Sequence, residues 1–297
     1  MKKILLAGAT GFIGKHLTTH LTENGYTLSL LTRRKLSDKP NIKYFSWDVE
    51  KGTIDKKAFE NVGAIINLTG ANIGSKRWTE KRKKIIINSR IDSINLLFRY
   101  VSENMFPINH FLSASAVGFY GAVTTDQIFN EESGGGNDFL ARVCQQWENA
   151  AQKFQVLDCK VSILRQGVVI GKDGGIYEKL VPLAKRGITP AVGNGKQYLP
   201  WIDVHDLCRM YLFLLENNVG SIFNAVSSEH ITMNHFAEKL LASVNKKSIL
   251  PNAPAFLIKL ILGEQSSMIL EGSRINNKKI KKTGFDFWHD SLEKSLK

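Results

Sequence analysis

The chain has 297 residues, 43% of them hydrophobic and 23% charged, a balance that supports a large core in a globular protein. No apolar run reaches the roughly 18 to 20 residues of a membrane span; Lys2-Lys3 lead straight into the first strand pattern, so no signal peptide is expected; and Cys144, Cys159 and Cys208 are too few and scattered for a disulfide framework or zinc site, so a cytoplasmic location is expected. The net charge of +13 is dispersed over Arg33-Arg34-Lys35, Lys81-Arg82-Lys83-Lys84 and Lys278 to Lys282 without a nucleic-acid-binding signature, so the expected partner is a small-molecule substrate, with neither nucleic acid nor a membrane.

Strand and helix patterns alternate through the first two-thirds of the chain, which predicts an α/β fold, a Rossmann-type doubly wound parallel sheet. In order, strands are expected at Lys3 to Ala7, Tyr26 to Thr32, Ile42 to Trp47 and Ala64 to Leu68. A basic helix follows from Thr79 to Asn104, with Trp78-Thr79 marking its start and Ile85, Ile86, Ile94, Leu97 and Val101 as its apolar stripe. Then come a strand at His110 to Ala114, a helix at Asp138 to Phe154 and a strand at Lys160 to Leu164. After Gly171 the pattern is broken by Gly174-Gly175, Gly187, Pro190, Gly193, Gly195 and Pro200. A helix at Asp203 to Asn217 and a strand at Ile222 to Val226 return to the sheet. From Ile231 the chain reads as a small, mostly helical C-terminal lobe with Pro251 and Pro254 at its turns. The division expected is a dinucleotide-binding domain over 1–171, joined by the returning elements 203–226, and a substrate-binding lobe over 172–297. Right-handed crossovers give the strand order 3-2-1-4-5-6, with the ligand crevice at the carboxyl ends of the strands.

The first strand runs into Gly8-Ala9-Thr10-Gly11-Phe12-Ile13-Gly14, which opens a helical pattern. A strand that turns through glycines into a helix aims backbone N–H groups and a positive dipole end at an anion. Gly8 permits the tight turn, Gly11 lets a pyrophosphate approach the backbone, and Gly14 lets the helix pack close to the strand. Thr10, Phe12 and Ile13 complete the expected contact. At the end of strand two, where an NAD-selective fold carries Asp or Glu for the ribose 2′-OH, this chain has Thr32-Arg33-Arg34-Lys35. Guanidinium groups hold a 2′-phosphate that a carboxylate would repel, so NADP(H) is expected over NAD(H).

The G-x-x-G-x-x-G run resembles the opening of the extended short-chain dehydrogenase/reductase superfamily. Further segments narrow the resemblance to its uncharacterised epimerase-like branch with an appended C-terminal lobe: Asn67 to Trp78, Ser113 to Gly121, Leu164 to Gly171, Gln197 to Asp206 and the closing Gly284-Phe285-Asp286-Phe287. That resemblance implies Asp48 near the adenine, Leu68, Thr69 and Gly70 beside the cofactor, Arg90 as a cofactor contact, and Arg165, Gly167 and Val168 under the nicotinamide. It implies that the segment from Trp201 to Asp206 shapes the crevice floor. His205 departs from the acidic residue often found before Asp206.

The superfamily's chemistry uses a serine, a tyrosine and a lysine four residues after the tyrosine. No Tyr-x-x-x-Lys occurs here; by register Phe139 and Val143 occupy those places. Ser115 matches the family serine, and Tyr120 offers a hydroxyl on the following loop. Cys144 and Glu148, four apart on one helical face, read either as an acid/thiol pair or as a buried cysteine beside a surface glutamate. His16, His20, His110, His230, His235 and His289 show no metal-ligand arrangement. The functional expectation is an NADP(H)-binding oxidoreductase or nucleotide-sugar-epimerase-like enzyme with a non-standard proton donor; the alternative is a non-catalytic dinucleotide-binding regulatory or interaction protein.

Overall fold

A computed structural model describes residues 2–189 and 191–296; Pro190, expected to help break the pattern after Gly171, lies outside the described residues. β1 (Lys3–Ala7) passes through the glycine turn into α1 (Phe12–Glu23), followed by β2 (Thr27–Thr32), β3 (Ile42–Asp48), the short β4 (Thr53–Ile54) and β5 (Ala64–Asn67). α2 (Glu80–Asn104) leads to β6 (His110–Ala116), β7 (Ile128–Phe129), α3 (Phe139–Gln152), β8 (Lys160–Gln166) and β9 (Val168–Gly171). Next come α4 (Gly175–Lys185), β10 (Trp201–Asp203), α5 (Val204–Glu216) and β11 (Ile222–Ala225). The C-terminal part holds α6 (Met233–Ser243), α7 (Ala255–Leu262), α8 (Ser267–Leu270), β12 (Arg274–Ile275), α9 (Lys278–Lys282) and α10 (Leu292–Leu296).

The main sheet has eight strands in the order β11-β8-β6-β5-β1-β2-β3-β4. All of its pairings are parallel except β3 with β4. The expected order of the first six strands is therefore present as β3-β2-β1-β5-β6-β8, and β11 extends it beside β8. The central strands are apolar without alternation because both faces are covered. On one face Leu17 and Leu21 of α1 and Leu207, Met210, Tyr211 and Leu214 of α5 pack against Ile4, Leu6 and Leu112. On the other, Ile94, Leu97 and Val101 of α2 and Trp147 of α3 pack against Leu5, Ile65 and Phe111.

Polar side chains fix where the helices begin. The Thr79 hydroxyl accepts from the Arg82 amide at 3.2 Å and starts α2. The Asp138 carboxylate accepts from the Ala141 amide at 2.9 Å and starts α3. Such caps satisfy helix-start amides that would otherwise lack a partner.

Three sequence expectations need correction. Ile85 is 43% exposed and does not belong to the buried stripe of α2, which runs through Ile86, Ile94, Leu97 and Val101. The broken pattern after Gly171 hides a helix, α4, which carries Pro182 within it. Pro182 lies on the exposed side, and flanking glycines make an 11-residue helix read as loop. Arg165 lies within β8 rather than beyond the strand. Two small sheets also join distant parts: β10 pairs with β9, and β12 of the C-terminal part pairs with β7. The second brings the lobe against the carboxyl ends of β6 and β8. Among the described residues no helix is long and apolar enough to cross a membrane.

Candidate functional site

The glycine turn shows why its residues are small. Gly8 sits at φ +89°, and a Cβ there would lie 2.9 Å from the Leu68 carbonyl carbon. At Gly14 a Cβ would lie 2.3 Å from the Gly8 oxygen and 2.7 Å from the Ala9 Cα, so α1 is pressed against the turn. At Gly11 a Cβ would meet only the Gly8 oxygen, at 3.4 Å, which leaves the outer side open. Gly11 is the N-cap of α1; no side chain caps that end, and no acidic residue stands in its first turn. The orphan amides at Phe12 and Ile13 therefore keep their capacity to hold an anion, with exposed Thr10 beside them.

Thr32 is buried at the end of β2, and its hydroxyl accepts from the Arg34 amide at 3.0 Å. That bond turns the chain so that Arg33 and Arg34 project into solvent. Neither forms an ion pair among the described residues. Asp48, the last residue of β3, accepts from the amides of Glu50 at 3.0 Å and Lys51 at 3.1 Å through one oxygen. Its other oxygen lies 4.0 Å from the Lys51 ammonium.

After β5, the Leu68 amide donates to Ala7 at 2.9 Å and ties this segment to the glycine turn. The Thr69 hydroxyl donates to Asn67 Oδ1 at 2.5 Å and lies 2.6 Å from Ser93 Oγ. The buried Asn67 Nδ2 has no partner among the described residues. Gly70 lies under Arg90, whose Cζ would be 2.9 Å from a Cβ at that position. The Arg90 guanidinium donates to the carbonyls of Ala71 at 3.2 Å and Ile86 at 2.9 Å and stands 4.9 Å over the Trp147 ring. Burial lowers its pKa to about 10, so it stays charged at neutral pH. Arg90 is thus a held cation beside the crevice.

A polar network lies behind the crevice and reaches its wall through Tyr120. Arg165 donates to both oxygens of Glu148, at 2.9 Å each, and to the Tyr120 hydroxyl at 3.0 Å. Its guanidinium stacks 3.3 Å from the Phe119 ring centroid. Ser115 donates to Glu148 Oε1 at 2.7 Å, and Tyr120 donates to Asn224 Oδ1 at 2.7 Å. Glu148 is therefore a buried member of an ion pair and not a surface glutamate. Cys144 is buried beside it; burial, then the Glu148 charge, push its thiol up to about 12, which removes the acid/thiol reading. The side chain of Arg165 is committed to Glu148 and Tyr120 rather than open to the crevice. Burial raises the Tyr120 pKa, opposed by Arg165.

A cavity of about 250 Å³ opens between the ends of β6 and β8 and the C-terminal part. Arg90, Tyr120, Val143, Gly167 and Val168 stand in its wall, and Tyr198 and Met268 close the side toward the lobe. Most of the wall is apolar. Val143 occupies it where the family lysine would reach in, while Phe139 is buried against Trp78 with ring centroids 4.9 Å apart. Ser115 is buried behind the wall and is not part of it. The expected floor needs correction. Trp201 and Asp206 are buried outside the wall, which takes Tyr198, Leu199 and Pro200 instead. Asp206 accepts from Arg209 at 2.8 Å and from the amides of Trp288 and His289 at 2.9 and 2.7 Å, so it anchors the closing segment of the chain. Tyr198, Met268 and Glu271 were not legible as site residues, because the pairing of β10 with β9 brings Tyr198 to the crevice and that of β12 with β7 brings the segment of Met268 and Glu271. Among the described residues no group of three or more His, Cys, Asp or Glu side chains could hold a metal ion.

A parallel, doubly wound sheet with a glycine turn after its first strand and a crevice at the carboxyl ends defines the Rossmann-type class. The chain belongs to the NAD dependent epimerase/dehydratase family, whose profile matches residues 4–225; a domain of unknown function (DUF1731) matches residues 253–297. It is 30% identical to the epimerase family protein ML0860 of Mycobacterium leprae, over 99% of this chain and 94% of that protein. Identity is also 30% to the epimerase family protein YfhF of Bacillus subtilis, over 99% of this chain and 96% of that protein. The crystal structure of the human epimerase family protein SDR39U1 with NADPH superposes with a TM-score of 0.87 at 27% identity, covering 99% of this chain and 97% of that one. MoeE5 in complex with UDP-glucuronic acid and NAD shares the fold, with a TM-score of 0.79 at 18% identity over 99% of this chain and 96% of its own.

Proposed function

We propose that this chain binds NADP(H) at the glycine turn and interconverts a carbonyl and an alcohol on a small, largely apolar substrate. The observation that carries the cofactor choice is the pair of exposed, unpaired guanidinium groups of Arg33 and Arg34 beside an uncapped helix start. The NADPH in the human relative supports it. The Gly8 to Gly14 turn would hold the pyrophosphate, Arg33 and Arg34 the 2′-phosphate, and Asp48 the adenine edge. Leu68, Thr69, Gly70 and Arg90 would flank the ribose, with Gly167 and Val168 toward the nicotinamide. When bound, the cofactor supplies a carbon that gives or takes hydride. The lobe over 172–297 closes the substrate side. Three free, buried cysteines support placing the protein in the reducing cytoplasm.

Tyr120, which stands in the cavity wall, is the proton donor in this reading; its O–H must turn from Asn224 Oδ1, to which it donates at 2.7 Å, toward the substrate oxygen. Burial keeps its hydroxyl protonated, and Arg165 at 3.0 Å would steady the phenolate left behind. Ser115 and Glu148 hold Arg165 in place. Among the described wall residues the one cation is Arg90, already bonded to two carbonyls, so a nucleoside diphosphate sugar would find no free cation for its phosphates. This favours an apolar carbonyl compound. The test is NADPH oxidation across a carbonyl panel. Tyr120→Phe is expected to lower kcat by roughly 10²- to 10⁴-fold while leaving the NADPH Kd unchanged. Phe139 and Val143 in place of the family tyrosine and lysine favour the second reading, a dinucleotide-binding protein without turnover. Tight NADPH binding with no oxidation over a broad panel would establish it.

A further inference from the structure

α7 has the sequence AFLIKLIL, apolar except for Lys259, yet none of its residues is buried. Phe256 is 69% exposed and Leu260 72%, and Ile249 in the preceding loop is 74% exposed. Leu250, Leu257 and Ile261 are exposed with them. Scattered exposed hydrophobics need no explanation, but this many gathered on one helix and its approach do.

The charge around the patch is mostly positive; Glu264, just after α7, is taken up in an ion pair with Lys83. Residues 244–263 contain Lys246, Lys247 and Lys259 and no aspartate or glutamate. Arg186 lies alongside, since the carbonyl of the next residue, Gly187, accepts the Ile249 amide at 2.9 Å. At the far end of α7 the Arg77 guanidinium lies over Gly263, 3.1 Å from where a Cβ would stand. None of these five cations forms an ion pair among the described residues.

We propose that α7 and the loop before it form a docking surface for an anionic lipid bilayer. The apolar side chains enter the boundary between headgroups and acyl chains, and the flanking lysines and arginines sit at the phosphate level. A second copy of this chain is a poorer occupant, because pairing two such faces sets lysine against lysine between chains of net charge +13. Composition gave no reason to expect a membrane partner, and among the described residues no helix is long and apolar enough to span one; the proposal concerns docking at the bilayer surface alone. Docking would also bring the crevice near the bilayer, since α7 leads within a few residues to Ser267 and Met268 in the cavity wall. The inference does not depend on the cofactor or on turnover.

The full chain is sedimented with vesicles of phosphatidylcholine alone and of equal parts phosphatidylcholine and phosphatidylglycerol. Binding is expected only to the anionic vesicles, and high salt should release it. Phe256→Glu with Leu260→Glu should weaken partitioning at least tenfold, and each of Lys246→Ala, Lys247→Ala and Lys259→Ala roughly fivefold. All five side chains are exposed, so melting temperatures should match the parent chain. The proposal is overturned if the chain ignores anionic vesicles, or if the glutamate variants partition like the parent. It is equally overturned if light scattering finds a dimer that those substitutions dissolve while vesicle binding is absent.

Discussion

At Gly14 a single methyl group would collide with the backbone of the turn it packs against. Alanine there places a Cβ 2.3 Å from the Gly8 oxygen, and backbone cannot swing away as a side chain can. Gly14→Ala should cost about 1 to 3 kcal/mol in urea unfolding and weaken dinucleotide binding; parent-like stability and binding together would show that α1 shifts freely. His110 illustrates a different effect. It is buried, and its Nε2 lies 2.7 Å from the Ser162 hydroxyl, which itself donates to the Val219 carbonyl. The hydroxyl therefore accepts from Nε2–H, and the ring is neutral. Burial, aided by Lys160, lowers its pKa from 6.5 to about 4. The unfolded chain takes up this proton first, so the contribution to stability is full above pH 6.5 and falls as the pH drops toward 4. The loss is about 3 kcal/mol. His110→Gln should flatten the unfolding free energy between those pH values; an unchanged slope would assign the dependence elsewhere. The tight glycine turn and the exposed position of Arg33 and Arg34 were legible in the sequence, because they depend on spacing along one turn. The role of His110 was not, because its partner lies on another strand.

At the scale of elements, the polar network shows where sequence reading stops. Ser115 is on β6, Glu148 on α3 and Arg165 on β8, and no local pattern announces that they meet. A glutamate one helical turn after Cys144 reads as an exposed residue until β8 places a guanidinium against it. Removing one partner leaves the other charged and buried. Glu148→Ala or Arg165→Ala should each destabilise the chain by about 3 to 5 kcal/mol. The double replacement should cost clearly less than the two single losses together, because no uncompensated charge remains. Additive losses in urea unfolding would mean the pair is not coupled. Strand identities were legible because the central strands are covered on both faces. α4 was not, because Pro182 and its flanking glycines obscure the helical period. The exposure of α7 was hidden for a related reason: an apolar octapeptide looks like core in sequence, and only the packed structure shows that nothing covers it.

At the scale of the whole molecule, the strand order brings the glycine turn, the Asn67 to Gly70 segment and the ends of β6 and β8 to one edge, and the C-terminal part lies across it. That arrangement was largely foreseeable from alternating strands and helices. The wall from Tyr198 to Pro200 and from Ser267 to Ile275 was not, since it depends on the pairings of β10 with β9 and of β12 with β7. In the function proposed above, the amino-terminal edge of this crevice takes a nicotinamide dinucleotide and Arg33 and Arg34 choose the phosphorylated form. Titration calorimetry of the purified chain with NADPH and NADH, repeated on Arg33→Ser with Arg34→Ser, tests it most directly. The parent chain is expected to bind NADPH more tightly than NADH. In the double variant the NADPH affinity should fall by roughly ten- to hundredfold with little change for NADH. Tighter NADH binding, or no heat with either nucleotide from folded protein, would contradict the proposed function.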